Sequence, residues 1–284
     1  MTYKDIYIAG IKSLKAAGID NAEFDARLIF EQCFGIDRAA LALSGDKRAD
    51  VHAYNLFLDM IKRREEREPL QYILGNWPFM GLEFHVGPGV LIPRPETQQL
   101  AEIAVKKINE GKSVVFDLCA GSGCIGLCVA YYCKNTDVYL IEKSQQAAEY
   151  LNRNIKRLNI RNAHAMIGDI KDGYLPFNIP EPDIILCNPP YIRSDEINRL
   201  QEEVQKEPVM ALNGGEDGLE FYRVLADKWL RYIKKDGSLI MECGQGQESD
   251  ITDIFRGKCK NIKIFKDFNG IPRIIDCENA IKIT

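Results

Sequence analysis

The sequence predicts an α/β protein: a mostly parallel, seven-stranded sheet covered by helices on both faces, preceded by a small all-helical domain. Three observations predict it. Over residues 1–75 apolar positions recur at helical spacing and no strand-like run interrupts them. From residue 93 onward, short apolar runs alternate with helical stretches, the pattern of βαβ units whose crossovers lay helices on a parallel sheet. Between them, residues 76–92 mix Trp77, Phe79, Leu82, Phe84 and Val86 with Pro78, Gly81, Gly87, Pro88 and Gly89, which is hairpin material joining two domains.

The elements follow in order. Ile6, Ala9, Gly10, Leu14 and Ala17 fall on one helical face, as do Phe24, Leu28, Ile29 and Cys33, and then Leu56, Met60 and Ile61. Breaks at Gly18-Ile19-Asp20, Gly35-Ile36-Asp37 and Ser44-Gly45-Asp46 separate them, so a bundle of about four or five helices is expected. The run from Lys62 to Glu68 is mixed in sign and reads as a solvated helix face. In the second domain, 93–284, strands are expected at Val114–Leu118, Val138–Ile141, Ala163–Ile167, Ile184–Cys187, Ser238–Glu242, Ile262–Phe268 and Arg273–Cys277. Helices near 96–109, 123–133, 145–158 and 217–234 separate the earlier ones. The link between the last two strands contains Gly270 and Pro272 and is too short for a parallel crossover, so that pair is expected to be antiparallel.

Bulk properties exclude several classes. Hydrophobic residues at 46% and charged residues at 27% fit a globular chain with a sizeable core. A net charge of -4, from 37 Lys and Arg against 41 Asp and Glu, disfavours a polyanion as the main partner, so no direct nucleic-acid binding is expected. No segment approaches the length of a membrane span, and Met1-Thr2-Tyr3-Lys4-Asp5 has no apolar signal core; a cytoplasmic protein is expected. The nine cysteines are odd in number and several sit in apolar runs, as reduced core thiols do. The spacing of Cys119, Cys124, Cys128 and Cys133 is not that of paired metal knuckles, so no metal is expected.

Two segments carry chemistry. The first is Val114-Val115-Phe116-Asp117-Leu118-Cys119-Ala120-Gly121-Ser122-Gly123, a buried strand entering a glycine turn and then a helix. Gly121, Gly123 and Gly126 match the dinucleotide fingerprint, which alone is weak. The acids decide. Asp117 ends the first strand, Glu142 ends the second and Asp169 follows the third, and strand ends on one edge of such a sheet converge on its ligand crevice. Three carboxylates there oppose a pyrophosphate but suit S-adenosylmethionine, which carries a sulfonium and an ammonium and no phosphate. Glu142 can accept from both ribose hydroxyls and Asp169 from the adenine amino group, while Cys119, Ala120, Gly121, Ser122 and Gly123 bring backbone close to the methionine portion. The second segment is Asn188-Pro189-Pro190-Tyr191, directly after the strand ending at Cys187 and hence at the same edge. The Asn188 side-chain oxygen and the Pro189 carbonyl can each accept one N–H of a planar nitrogen, the prolines hold the loop rigid, and Tyr191 can stack on the planar group. These residues leave an amide and a nucleobase amino group equally open as the methyl acceptor.

With both segments placed, the sequence resembles the release factor glutamine methyltransferases over nearly its whole length. The resemblance includes Glu68-Pro69-Leu70-Gln71-Tyr72-Ile73-Leu74-Gly75, Val90-Leu91-Ile92-Pro93-Arg94-Pro95-Glu96-Thr97, Glu207-Pro208, Asp217-Gly218-Leu219, Met241-Glu242-Cys243-Gly244 with Gln247, and Gly270-Ile271-Pro272-Arg273. It implies a Rossmann-like class I methyltransferase domain holding S-adenosylmethionine at Cys119–Gly123, Glu142 and Asp169-Ile170. It implies a glutamine side chain held at Asn188–Tyr191, with Arg94, Glu96 and Thr97 near the pocket. It also implies a helical domain that helps grip peptide chain release factors, whose Gly-Gly-Gln loop carries the target. Three positions depart from the family's habit: Glu142 where aspartate is frequent, Cys119 where glycine is frequent, and Ile170 where a bulkier ring is common. A relative that methylates a glutamine of a large-subunit ribosomal protein, a nucleic-acid amino-methyltransferase and a non-catalytic cofactor-binding partner are the rival readings.

Overall fold

The computed structural model describes residues 1–108, 113–174 and 179–281. They form two compact units: Met1–Asn76 with Gln201–Lys206, and Trp77–Leu200 with Glu207–Thr284. The expected helix end at residue 109 and the chain end at 284 lie outside the described residues.

The first unit begins with α1 (Tyr3–Ala16), α2 (Ala22–Phe34), α3 (Arg38–Ser44), α4 (Val51–Glu65) and α5 (Leu70–Leu74). Their starts are written locally: Thr2, Asp37 and Asp50 each accept a first-turn backbone N–H through the side chain, satisfying a donor the helix cannot. Ile6, Leu14, Ile29, Phe30, Phe57 and Met60 form its core. The mixed-charge run is not a solvated face throughout. Arg64 is 7% exposed and bonds Asp25 at 2.7 Å and Glu203 at 2.9 Å. Arg67 donates to the carbonyls of Ala17 and Gly18, and Arg63 pairs with Glu68. Helical periodicity turns Arg64 inward beside Phe57 and Ile61, where its partners come from a distant helix and from the returning segment Gln201–Lys206 that carries α9 (Glu202–Gln205).

The second unit begins at Trp77, within the hairpin of β1 (Asn76–Phe79) and β2 (Leu82–His85), and continues through α6 (Gln98–Lys107), β3 (Ser113–Leu118), α7 (Cys124–Tyr132), β4 (Thr136–Glu142), α8 (Gln145–Arg157), β5 (Ala163–Ile167) and β6 (Ile184–Cys187). After α10 (Val209–Leu212) come α11 (Glu220–Val224), a π-wound turn at Leu225–Trp229, β7 (Ser238–Glu242), α12 (Glu248–Phe255), β8 (Cys259–Lys266) and β9 (Pro272–Ala280). The sheet order is β5-β4-β3-β6-β7-β9-β8. Only β9 runs against the others, paired antiparallel with β7 and with β8, as the short final link requires. Helix α12 was not anticipated; its apolar residues Ile251, Ile254 and Phe255 form too short a stripe to stand out between two strands.

Strand alternation distributes the core. Val114, Phe116, Leu118, Ile185, Leu239 and Met241 face Tyr222, Trp229, Ile251 and Phe255, while Val115, Leu140, Leu186 and Ile240 face Leu100, Ala101, Leu127 and Leu151. No helix among the described residues is long and apolar enough to cross a membrane.

Asp117 lies at the second of these faces and is fully buried. Its Oδ2 accepts the Gly126 N–H at 2.8 Å, in the first turn of α7, where the helix leaves donors unsatisfied and its dipole favours a negative charge. Gly126 permits the approach, because a Cβ there would stand 2.8 Å from the same oxygen. Burial nevertheless pushes the Asp117 carboxyl up to about 7, the Gly126 bond offsetting part of the shift and Glu142 adding to it.

Two predictions follow from buried charge in these units. Arg64→Ala leaves Asp25 without its cation and Glu203 with Arg67 alone, and should lower the unfolding free energy by about 3–5 kcal/mol, measured by urea denaturation; a loss under about 1 kcal/mol would contradict the buried network. Because folding raises the Asp117 pKa above its ordinary 3.8, the proton's contribution to stability is complete below about pH 4 and is lost as pH rises through about 7. Asp117→Asn stays neutral and can still accept from Gly126. Its stability relative to the parent should therefore climb between about pH 4 and pH 8, by about 1.4 kcal/mol for each unit of raised pKa. A difference that does not change with pH would refute the assignment.

Candidate functional site

Parallel pairing aligns four strand ends. Leu118 of β3 lies level with Ile141 of β4 and with Cys187 of β6, and Cys187 is level with Met241 of β7. Chain order reverses between β3 and β6, so a crevice opens there beyond the carboxyl ends of the strands. A cleft of about 910 Å³ occupies this edge.

The glycine turn forms one wall. Cys119, Gly121 and Gly123 all adopt positive φ, at 62°, 57° and 81°. At Gly123 a side chain would also collide with Leu151. Cys119 holds its left-handed conformation without being glycine, which gives a backbone reason for glycine's frequency there in the resembling family. The turn is tied to the second strand end: Glu142 accepts the Gly121 N–H at 2.8 Å through Oε2 and the Ser144 N–H at 2.6 Å through Oε1. Each carboxylate oxygen retains a second lone pair. Asp169 accepts from the Lys171 N–H at 2.9 Å and pairs with Lys143 at 2.8 Å. Burial would raise its pKa, but Lys143 and the Lys171 N–H outweigh that and hold the carboxyl below its usual range.

Asn188-Pro189-Pro190-Tyr191 leaves β6 at the adjacent strand end. The Asn188 amide nitrogen donates to Thr97 Oγ1 at 3.3 Å. The Thr97 hydroxyl lies 2.6 Å from Oε2 of Glu242, and the Tyr191 hydroxyl donates to Oε1 of the same carboxylate at 3.2 Å. Glu242 ends β7, is 2% exposed, and its backbone carbonyl accepts from Tyr222 at 2.9 Å. Burial raises its carboxyl above the usual range, and the Thr97 and Tyr191 hydroxyls pull it back. The Tyr191 carbonyl accepts from Gln247 at 3.0 Å. Glu207, also buried, accepts the Ile92 N–H at 3.0 Å and pairs with Arg94.

The structure brings together Cys119, Ala120, Gly121, Ser122, Glu142, Asp169, Ile170, Asn188 and Pro190 as cleft lining, with Arg94 and Thr97. Asp117, Gly123, Pro189 and Tyr191 do not line it. Asp117 stands behind the glycine turn on the α7 start, and Tyr191 is anchored by its hydroxyl to Glu242. Glu96 does not line the cleft either; it is exposed. Glu207 and Glu242 had no assigned role in the sequence. Glu242 carried a readable signal, an acid closing the apolar strand Ser238-Leu239-Ile240-Met241 at the same sheet edge.

Comparison with known proteins gives the family. Residues 5–75 match the family model described as PrmC N-terminal domain, and residues 75–216 match Conserved hypothetical protein 95. A release factor glutamine methyltransferase of Thermodesulfovibrio yellowstonii is 36% identical over 256 residues, 88% of this chain and 90% of the relative. One of Clostridium botulinum is 33% identical over 281 residues, 97% of this chain and 98% of the relative. Among solved structures, a methyltransferase from Pyrococcus furiosus superposes with a TM-score of 0.53 at 18% identity, covering 72% of this chain and 91% of that one. That likeness concerns the fold alone. By identity sustained across both units, the chain belongs to the release factor glutamine methyltransferase family.

Proposed function

We propose that the protein transfers a methyl group from S-adenosylmethionine to the side-chain amide nitrogen of a glutamine in a peptide chain release factor, in its Gly-Gly-Gln loop. The observation that carries the reading is the state of Asn188. Its amide nitrogen is engaged by Thr97, and among the described residues no donor takes its carbonyl oxygen, in a residue that lines the cleft beside the glycine turn.

The donor set fits S-adenosylmethionine. Glu142 and Asp169 offer carboxylate lone pairs to hydroxyl and amino donors, and Ala120 and Ile170 supply apolar wall. When bound, the cofactor would supply a sulfonium methyl group to the amide nitrogen, with Glu142 and Asp169 among the residues that would hold it. An amide nitrogen is a poor nucleophile, because its pair is delocalised into the carbonyl. The chain's contribution is therefore orientation and charge stabilisation. Asn188 Oδ1 accepts one N–H of the target, which orients the nitrogen and stabilises the positive charge it gains. The fixed φ of the two prolines that follow keeps that acceptor in place. The helical unit, matched to the family's N-terminal domain, serves as the grip on the protein substrate.

Asn188→Ala should lower methyl transfer to a recombinant bacterial release factor by about 10²–10³-fold, as loss of one preorganised partner does elsewhere, with cofactor affinity little changed. Mass measurement of the Gly-Gly-Gln peptide should show one added methyl on glutamine with the parent enzyme. Label appearing instead on a ribosomal protein or on protein-free RNA would overturn the choice of substrate.

A further inference from the structure

We infer that Thr97, held by Glu242, is a positioning residue for methyl transfer: it decides which end of the Asn188 side chain meets the substrate. The inference rests on the role of Asn188 proposed above.

An asparagine amide has two ends of nearly equal shape, one a donor and one an acceptor. Only the acceptor end can take an N–H of the target, so something must forbid the flipped arrangement. Thr97 is 2% exposed and its hydroxyl has a single proton. That proton is claimed at 2.6 Å by Oε2 of Glu242, whose other oxygen already receives the Tyr191 hydroxyl. What Thr97 can still offer Asn188 is a lone pair. At 3.3 Å from Thr97 Oγ1, the amide NH₂ makes a hydrogen bond, whereas a flipped amide would set two lone-pair oxygens against each other. The polarity runs one way, from Glu242 to Thr97 to Asn188, and leaves Oδ1 on the side away from Thr97.

The same carboxylate fixes both ends of the loop, reaching Asn188 through Thr97 and Tyr191 directly. Tyr222 adds a third constraint by holding the Glu242 backbone carbonyl. Thr97 and Glu242 lie 145 positions apart, and nothing beyond packing brings them together. A hydroxyl that served only as a helix cap would bond its own first-turn N–H; Thr97 stands at the start of α6 and makes no such bond.

The test uses the full-length protein, labelled S-adenosylmethionine and a recombinant bacterial release factor. Thr97→Val keeps the shape and removes the hydroxyl. We expect kcat to fall about 10–100-fold, the range for a misplaced reacting group, with KM for the release factor and Kd for S-adenosylmethionine within about threefold of the parent, a margin smaller than one good hydrogen bond. Thr97→Ser, which keeps the hydroxyl, should restore kcat to within about threefold. Thr97→Val made on top of Asn188→Ala should cost nothing further, because the end it orients is gone. Thr97→Ala carries the same expectations and replaces valine if that variant does not fold. Parent-like kcat in Thr97→Val, equal damage in Thr97→Ser, or an additive loss on Asn188→Ala would each overturn the inference. Full activity in Asn188→Ala is a separate result: it would remove the role of Asn188 itself.

Discussion

The site depends on the central position of β3. That strand is paired in parallel on both sides, with β4 and with β6, and its residues Val114 to Leu118 are buried on both faces. A strand so enclosed has no spare edge for binding, so variation can enter only where it ends. Register then does the assembly. Because Leu118, Ile141 and Cys187 lie level, the next residues of three separate chain segments, the turn at Cys119, Glu142 and Asn188, must emerge together. A slip by one residue would turn each side chain to the opposite face and scatter the cleft.

The two fully buried acids at this edge share a solution. Asp117 and Glu242 both project toward the sheet face covered by α6 and α7, as the alternation of β3 and β7 dictates. Each meets the start of a helix: Asp117 takes the Gly126 N–H of α7, and Glu242 takes the hydroxyl of Thr97, which precedes α6. Burying a carboxylate is costly unless donors meet it, and a helix start is where donors and positive potential are concentrated. The two acids differ in what they hold. Asp117 shapes the turn from behind, whereas Glu242 holds hydroxyls that reach the Asn188–Tyr191 loop.

Local pattern made the fold readable and left the long-range pairs hidden. The alternation from Val114 onward specified a parallel sheet because each strand is a short apolar run bounded by turn residues. The short link near Gly270 and Pro272 specified the one reversed strand. The glycine turn and Asn188-Pro189-Pro190-Tyr191 were legible because their chemistry is contained within a few consecutive residues. Arg64 was misread as solvated because its partners, Asp25 and Glu203, lie 39 and 139 positions away. Thr97 was named only as near the pocket, and Glu242 only as part of a resembling segment, since a hydrogen bond across 145 positions has no periodicity. Tyr191 was read for its ring, and the bond from its hydroxyl to Glu242 joins it to a carboxylate that the sequence did not connect to it.

The loop at Asn188 does not by itself separate an amide from a nucleobase, since both present an N–H₂ on a trigonal carbon. The rim of the cleft supplies the distinction. Among the described residues four cations line it, and each already has a carboxylate: Arg94 with Glu207, Lys143 with Asp169 at 2.8 Å, Lys171 with Glu220 at 2.6 Å, and Arg223 with Asp217. The Arg223 pair, with backbone help at Leu219, holds Asp217 down at about 2, so that carboxylate stays charged and its cation stays occupied. A nucleic acid brings a row of phosphates, and its affinity comes largely from cations free to meet them. Here every lining cation would first have to leave a partner. A neutral, glycine-rich peptide loop makes no such demand. It needs backbone partners and apolar contact, and Val209 and Met210, half exposed beside the cleft, offer the latter. Among the described residues, no cation on this rim therefore stands free of a carboxylate to meet a phosphate.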